Sequence, residues 1–167
     1  MAPDIQTNPH EDARDEADFA RLGADDAPAV AALEARCFTL PWSEDVLRGA
    51  FGQSVFSAFG LKRGEALLAY VSVYHTAGEL EILNIAVSPE HRNRGHGKRL
   101  LGLVLQLAGK MGIVTSVLEV RPSNVAAIAL YSGFGYRQAG RRPAYYPDTG
   151  EDALIFTLDV PPTRSLP

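Results

Sequence analysis

Basic residues and glycines are concentrated in one short loop, Arg92–Lys98, which reads R-N-R-G-H-G-K. An apolar strand pattern ends just before this loop, and a helical period of apolar residues begins at Gly97. Glycine lets backbone N–H groups come close to a ligand, and the first turn of a helix carries unpaired N–H donors with partial positive charge. We therefore expect the loop to hold a phosphate or pyrophosphate group at a helix N-terminus.

Two common phosphate-binding motifs do not fit this loop. A P-loop requires G-x-x-x-x-G-K-[ST], but Arg92 stands at its first glycine and Arg99 at its final Ser or Thr. The dinucleotide fingerprint requires G-x-G-x-x-G, and Leu100 takes the place of its third glycine. The remaining pattern, R-x-x-G-x-G, disfavours a nucleotide-binding domain of either kind. A solvated basic loop before an ordinary helix remains the structural alternative.

A second polar group surrounds the end of the next predicted strand. Glu119 lies at that end, and Asn124 and Tyr131 belong to the following helix, for which Ser123 is the expected N-cap. Seven residues span two helical turns, so Asn124 and Tyr131 are expected on the same side. A carboxylate, an amide and a phenol could thus line one cleft. Alternatively, Glu119 only pairs with Arg121 and Tyr131 only packs in the core.

The periodicity of the apolar residues predicts the elements that position these groups. Their order is β-α-α-β-β-β-α-β-α-β-β, which indicates one mixed α/β domain over residues 19–159. Residues 1–18 are expected to form an acidic, disordered tail, and residues 160–167 a C-terminal tail.

Some helix ends and buried faces are predicted in more detail. Asp25 or Asp26 is expected to cap the first helix, and Ser43 the second. The helix after the basic loop is expected to bury one face as far as Met111, and the next strand to be buried from Val114 onward.

Composition argues against several classes of protein. The chain has 167 residues, of which 46% are hydrophobic, so it is long enough for one domain with a core. Its net charge of −4 argues against nucleic-acid binding, and no apolar run approaches the ~20 residues that span a membrane. The single cysteine, Cys37, cannot form an internal disulfide. We expect a cytoplasmic monomer without a metal, since His91 and His96 have no third ligand nearby.

Together, the two polar segments resemble the GCN5-related N-acetyltransferases (GNAT). The loop matches the coenzyme A pyrophosphate pattern Q/R-x-x-G-x-G/A. The later segment, L-E-V-R-x-S-N-x-x-A-x-x-L-Y-x-x-x-G-[FY], is similar to the bacterial ribosomal-protein-alanine N-acetyltransferases of RimI type. Segments 41–43, 82–87 and 145–153 agree with that subfamily. The resemblance spans about residues 19–158 and implies an acyl-CoA N-acyltransferase fold, whose central mixed, mostly antiparallel sheet is flanked by helices.

The resemblance also implies roles for individual residues. An amine would attack the thioester of acetyl-CoA directly, with Glu119 as general base and Tyr131 as the acid that protonates the leaving thiolate. Glu81, on the strand before the loop, is a rival base. The residues implied for acetyl-CoA binding are Ile85, Ala86, Val87, Arg92, Asn93, Arg94, Gly95, His96, Gly97, Lys98 and Asn124.

The acceptor implied by the subfamily is a protein N-terminus, most specifically the N-terminal alanine of small-subunit ribosomal protein eighteen. An α-amine has a pKa of roughly 7.7–8.0, so one carboxylate suffices to deprotonate it, whereas a lysine amine at about 10.4 demands more. Another amine, such as a lysine, a polyamine or a metabolite, is the first alternative. A non-catalytic acetyl-CoA sensor is the second. Tyr145 and Tyr146 could shape a peptide slot or simply cover the end of the sheet.

Overall fold

A computed structural model describes residues 17–162 of the chain. Seven strands form one sheet in the order β1-β2-β3-β4-β5-β7-β6. The strands are β1 (Asp18–Leu22), β2 (Phe56–Arg63), β3 (Ala66–Thr76), β4 (Glu79–Val87), β5 (Thr115–Val120), β6 (Arg137–Arg142) and β7 (Ala153–Asp159). The α-helices are α1 (Ala27–Cys37), α2 (Glu44–Phe51), α3 (His96–Lys110) and α4 (Val125–Gly133).

The expected mixed, mostly antiparallel sheet is confirmed. Only β4 and β5 pair in parallel, because α3 forms the crossover between them; every other neighbouring pair is antiparallel. The expected tails fall mostly on residues 1–16 and 163–167, which lie outside the described residues. Within the described part, Ala17 and Val160 are buried, and Val160 N donates to Val114 O at 2.9 Å.

Two apolar clusters lie on opposite faces of the sheet, because successive strand residues point to opposite sides. On β2, Phe59 and Leu61 belong to the cluster that contains the buried side of α3. Phe56 and Ala58 belong to the cluster that α1 and α2 cover. The sheet therefore has helices on both faces, and a site at the end of its central strands can be reached by residues of all layers.

The helix caps differ in part from the sequence prediction. Ser43 caps α2 as expected, its Oγ accepting from Val46 N at 3.3 Å. Asp26 occupies the N-cap position of α1, but its carboxylate accepts from Gly23 N at 2.9 Å and pairs with Lys62 at 2.5 Å instead of capping the helix. The expected cap Ser123 is wrong: Asn124 caps α4, with its Oδ1 accepting from Ala127 N at 3.1 Å.

Two apolar residues expected to be buried are exposed. Met111 is 56% exposed because α3 ends at Lys110, and Gly112, with φ +78°, turns the chain away. Val114 is 64% exposed because β5 begins one residue later, at Thr115. Both residues lie in the short connection between α3 and β5, far from the basic loop.

Candidate active site

The basic loop has the backbone geometry of a helix N-terminus built for close approach. Gly95 is the N-cap of α3 and has φ +80°, a left-handed conformation that favours glycine, and Asn93 has φ +59°. Gly97 is less constrained, since a Cβ there would meet Val87 and Leu130 at ordinary distances of 3.6 and 3.7 Å. The first turn of α3 carries no acidic residue, and Lys98 in that turn is exposed. Its N–H donors and charge therefore suit an anion.

Arg92 fastens the loop to the end of β4. Its Nε donates to Val87 O at 3.2 Å, and its Nη2 lies 3.6 Å from Cys37 Sγ on α1. Beyond the loop, a shallow groove of about 420 Å³ follows the outer side of α3 and is lined by Gly95, Lys98, Arg99, Gly102, Leu103, Gln106 and Phe134. An extended anionic ligand bound at the loop could continue into this groove.

Strands β4 and β5 part next to this loop. Their pairing ends at Ile82 with Leu118, although β4 continues to Val87. Leu83 is an extra residue on β4, because Val73 pairs with Ile82 and Ser72 with Asn84. Residues 83–87 of β4 therefore do not pair with β5. We call the opening between these residues and the end of β5 the wedge. The predicted main-chain contacts of residues 85–87 would be made from its β4 side.

Glu119, the predicted base, lies on β5 at the edge of the wedge. Its side chain is 21% exposed and forms an ion pair with Arg142 of β6, with an Oε1–Nε distance of 2.5 Å. A hydrogen bond to Glu119 is the main reason that the pKa of Tyr145 is raised. The carboxylate is thus oriented by two exposed side chains that an incoming substrate can displace.

Glu81, the rival base, faces the same site. Glu81 pairs with Val117, so Glu119 lies two residues further along the neighbouring strand on the same face. Partial desolvation, followed by the charges of Glu119 and Glu79, raises the pKa of Glu81, and Arg142 opposes this shift. The charge of Glu119 thus disfavours ionisation of Glu81.

Tyr131, the predicted acid, is 6% exposed on α4 and stacks edge-on against Tyr136, with 5.7 Å between ring centroids. Burial is the main cause that raises its pKa, and Tyr136 and Tyr146 add to the effect. The pKa of Tyr146 is raised by burial and by the charge of Glu119, so Tyr146 lies near both predicted catalytic residues. The buried Tyr131 phenol therefore stays neutral at ordinary pH and can donate a hydrogen bond.

The loop between β6 and β7 is held over the site by Asp148 and Thr39, which the sequence analysis did not single out. Arg121, the alternative partner considered for Glu119, pairs with Asp148 instead. Arg121 binds Asp148 through two hydrogen bonds of 2.8 and 2.9 Å, and its guanidinium lies 4.0 Å from the Tyr146 ring centroid. Thr39, after α1, donates to the same carboxylate at 2.7 Å. The segments on the two sides of the site are thus joined at Asp148.

Glu34 is a buried carboxylate that the sequence analysis also missed. It is fully buried on α1 and accepts hydrogen bonds from Tyr70 Oη, from Trp42 N at 2.9 Å and from Asn84 Nδ2 at 2.9 Å. Asn84 directly precedes residues 85–87, which pair with β3 but not with β5, and Trp42 follows α1. The signal was present in the sequence, because Glu34 falls four residues after buried Val30 on the apolar side of the helix.

The predicted site residues stand as follows. The loop, the end of β4, Glu119 and Tyr146 meet around the wedge, with Tyr131 buried behind them. The Oδ1 of Asn124 serves as the cap of α4, and its role toward a cofactor remains a prediction. Over residues 17–162, no group of three or more His, Cys, Asp or Glu side chains could hold a metal ion. In the same range, no helix is long and apolar enough to cross a membrane.

Comparison with known proteins adds four findings. Residues 27–136 match the Acetyltransferase (GNAT) family. The [ribosomal protein bS18]-alanine N-acetyltransferase of Escherichia coli K12 is 36% identical over 141 residues, which cover 83% of this chain and 95% of that protein. The crystal structure of the E. coli ribosomal-protein-S18-alanine N-acetyltransferase superposes with a TM-score of 0.81 at 34% identity, covering 86% of this chain and 94% of that one. The coenzyme A complex of the PaiA N-acetyltransferase from Thermoplasma acidophilum shares the fold, with a TM-score of 0.72 at 16% identity over 86% of this chain and 98% of that one.

Proposed function

The chain belongs to the Acetyltransferase (GNAT) family, and we propose that it transfers acetyl from acetyl-CoA to the N-terminal alanine of ribosomal protein bS18. The observation that carries this proposal is the similarity to the E. coli enzyme of that activity, which extends over 95% of that enzyme's length. A ribosomal-protein acceptor would place the reaction in the cytoplasm.

Acetyl-CoA fits the opening described above. Its pyrophosphate would accept hydrogen bonds from the N–H groups around Gly95 and lie beside Lys98, where the α3 dipole favours negative charge. Its pantetheine would run along the main chain of residues 85–87 in the wedge. The thioester would then lie toward Glu119 at the end of β5. No metal is needed for this arrangement.

The acceptor amine must lose a proton before or during attack. Glu119 is suited to accept it once the substrate displaces Arg142, whose side chain is 58% exposed and free to swing away. Glu81 can share this role, because its raised pKa lies closer to that of an α-amine than an ordinary carboxyl does. The Tyr131 hydroxyl is held protonated by its surroundings and would donate to the sulfur of the departing coenzyme.

The acceptor peptide would enter between two segments that Asp148 joins. Thr39 contributes one side and the loop carrying Tyr145 and Tyr146 the other. An acceptor that enters end-on between these segments would bring its α-amine to Glu119. Tyr145 is 49% exposed and would meet the first residues of the peptide.

The test is an acetyl-transfer assay with peptides that vary only in their first residues. We expect turnover on peptides that begin with alanine, including the bS18 N-terminus, and none on the same peptides with a blocked N-terminus. Turnover only on lysine-bearing peptides with blocked termini would replace the acceptor with a side-chain amine. Binding of acetyl-CoA without turnover on any amine would instead indicate a non-catalytic sensor.

A further inference from the structure

An apolar groove lies under the C-terminal half of α3, apart from the acetyl-transfer site. Its volume is about 430 Å³, within the range of small-molecule pockets. The sheet supplies Phe59, Val73 and Leu80, and the helix side supplies Val104, Leu107, Ala108, Met111 and Ile113. We call it the α3 groove. Met111, 56% exposed, lines its rim and is a flexible side chain that adapts to a ligand.

A row of polar groups from three adjacent strands completes the lining. Arg21 on β1 donates from Nη2 to Ser57 Oγ of β2 at 3.3 Å. The same Oγ lies 3.3 Å from His75 Nε2 of β3. Within residues 17–162, neither Arg21 nor His75 forms an ion pair with a carboxylate. The apolar groove thus carries a cationic group whose charge the described residues do not neutralise.

We propose that the α3 groove binds a free carboxylate with an unbranched apolar chain, a fatty-acid-like anion. The carboxylate would accept hydrogen bonds from the Arg21 guanidinium, the donor best matched to its geometry. The chain would lie between the sheet and the helix, against Val73 and Ala108. A neutral apolar molecule would leave Arg21 unused, and a phosphate would leave the apolar walls exposed.

The α3 groove is separate from the proposed acetyl-CoA position. Ala108 lies roughly 18 Å along the α3 axis from His96, at 1.5 Å per residue. His75 of β3 and Leu80 of β4 are paired beside the β3–β4 turn, at the opposite end of β4 from Val87. A ligand there therefore does not depend on the acetyl-transfer activity, and the two proposals can fail independently.

The methionines offer a direct probe, because the chain contains only Met1 and Met111. Full-length protein labelled with 13C at the methionine methyl groups would be titrated with octanoate, with octanol as the neutral match. We expect a saturable shift of the Met111 signal, assigned with Met111→Leu, and an apparent Kd at least about tenfold weaker for octanol. Saturating coenzyme A should leave the octanoate Kd unchanged.

Two variants locate the ligand. Ala108→Leu fills the groove and should abolish the shift. Arg21 is exposed, so Arg21→Gln should raise the octanoate Kd at least about tenfold without affecting folding. Arg137→Gln, an exposed arginine on β6, is the matched control and should leave it unchanged. If Ala108→Leu does not fold, Arg21→Gln alone decides. Absence of saturation, equal binding of octanol, competition by coenzyme A, or an unchanged Kd in Arg21→Gln would each overturn the proposal.

Discussion

At the scale of single residues, the arrangement around Glu119 suggests how one base serves an amine near neutral pH. Arg142 and Tyr145 hold the carboxylate without burying it, since its side chain is 21% exposed. Glu81 stands beside it, and its pKa is raised by partial burial and by the charges of Glu119 and Glu79. A substrate that displaces Arg142 also removes a positive charge that lowers the pKa of Glu81.

The relative weight of the two carboxylates can be measured. We expect Glu119→Gln to lower kcat/KM by about 10²–10⁴, the usual contribution of a general base, and Glu81→Gln to lower it less. Because Glu119 raises the pKa of Glu81, Glu119→Gln should also shift the acid limb of the pH–rate profile. Glu44→Gln, an exposed carboxylate of α2, is the control for a charge change. A larger loss in Glu81→Gln would exchange the two roles.

Tyr131 can be tested against its neighbour. Tyr131→Phe should lower kcat by about 10²-fold or more with little change in KM, because only proton donation to the leaving group is lost. Tyr136→Phe removes a hydroxyl that lies 2.6 Å from Ser116 Oγ and should cost about 1 kcal/mol of stability with kcat nearly unchanged. Steady-state kinetics and urea unfolding of both variants distinguish these effects. Equal losses of kcat would indicate that the tyrosine pair acts only through packing.

At the scale of elements, polar residues join the helices and loops to the sheet around the site. Glu34 connects α1 with Trp42 and with Asn84 of β4 through one buried carboxylate. Asp148 connects the β6–β7 loop with Arg121 and Thr39. The hydrogen bonds of Glu34 and Asp148 therefore hold the segments on both sides of the wedge in place.

Replacing Glu34 should be costly. Glu34→Leu leaves the Tyr70 hydroxyl and the donors of Trp42 and Asn84 without their acceptor, for which we expect a loss of about 2–4 kcal/mol in the free energy of unfolding. Glu34→Gln keeps the shape of the side chain and part of its hydrogen bonding, so it should lose less of the free energy of unfolding. Glu44→Gln removes an exposed pair with Arg48 and should change stability by less than about 1 kcal/mol. Urea unfolding measures all three. A Glu34→Leu protein as stable as Glu44→Gln would contradict this account.

The loop carrying Asp148 should respond to acid. Hydrogen bonds from Arg121 and Thr39 lower the pKa of Asp148 to about 2. A lowered pKa means that the unfolded state binds the proton more tightly, so this contribution is present above the ordinary aspartate pKa and is lost as pH falls toward about 2. Thermal unfolding of wild type and Asp148→Asn between about pH 6 and pH 2 should show a difference in Tm that shrinks with acidification. A Tm difference that stays constant with pH would show that Asp148 stabilises the loop through packing and not through its charge.

At the scale of the whole molecule, the sequence predicts regular patterns better than contacts between distant segments. The strands of the central hairpins and the basic loop followed from local periodicity, and the left-handed Gly95 follows from the same glycine that marked the loop. Serine and asparagine are both favoured at helix N-caps, so residue type alone could not decide whether Ser123 or Asn124 caps α4. Gly112 marked the end of α3 and could have excluded Met111 from the core.

Contacts between distant segments have no such local signal. The hydrogen bond from Thr39 to Asp148 joins residues 109 positions apart, and no local pattern indicates it.

The placement of the coenzyme predicts how its binding stabilises the whole chain. Acetyl-CoA at a hundredfold excess over its Kd should add about 2.7 kcal/mol, which raises Tm by roughly 5–10 °C for a chain of this size. Lys98 is exposed in the first turn of α3, where the pyrophosphate would lie, so Lys98→Gln should reduce this shift at a fixed coenzyme concentration. Lys110→Gln, at the far end of the same helix, removes an equal charge and should leave the shift unchanged.

High salt should weaken the Tm shift in wild type more than in Lys98→Gln, because the interaction that the variant lacks is electrostatic. If Lys110→Gln reduced the shift as much as Lys98→Gln, the coenzyme would be responding to net charge, and the assignment of its pyrophosphate to the loop at Gly95 would be wrong.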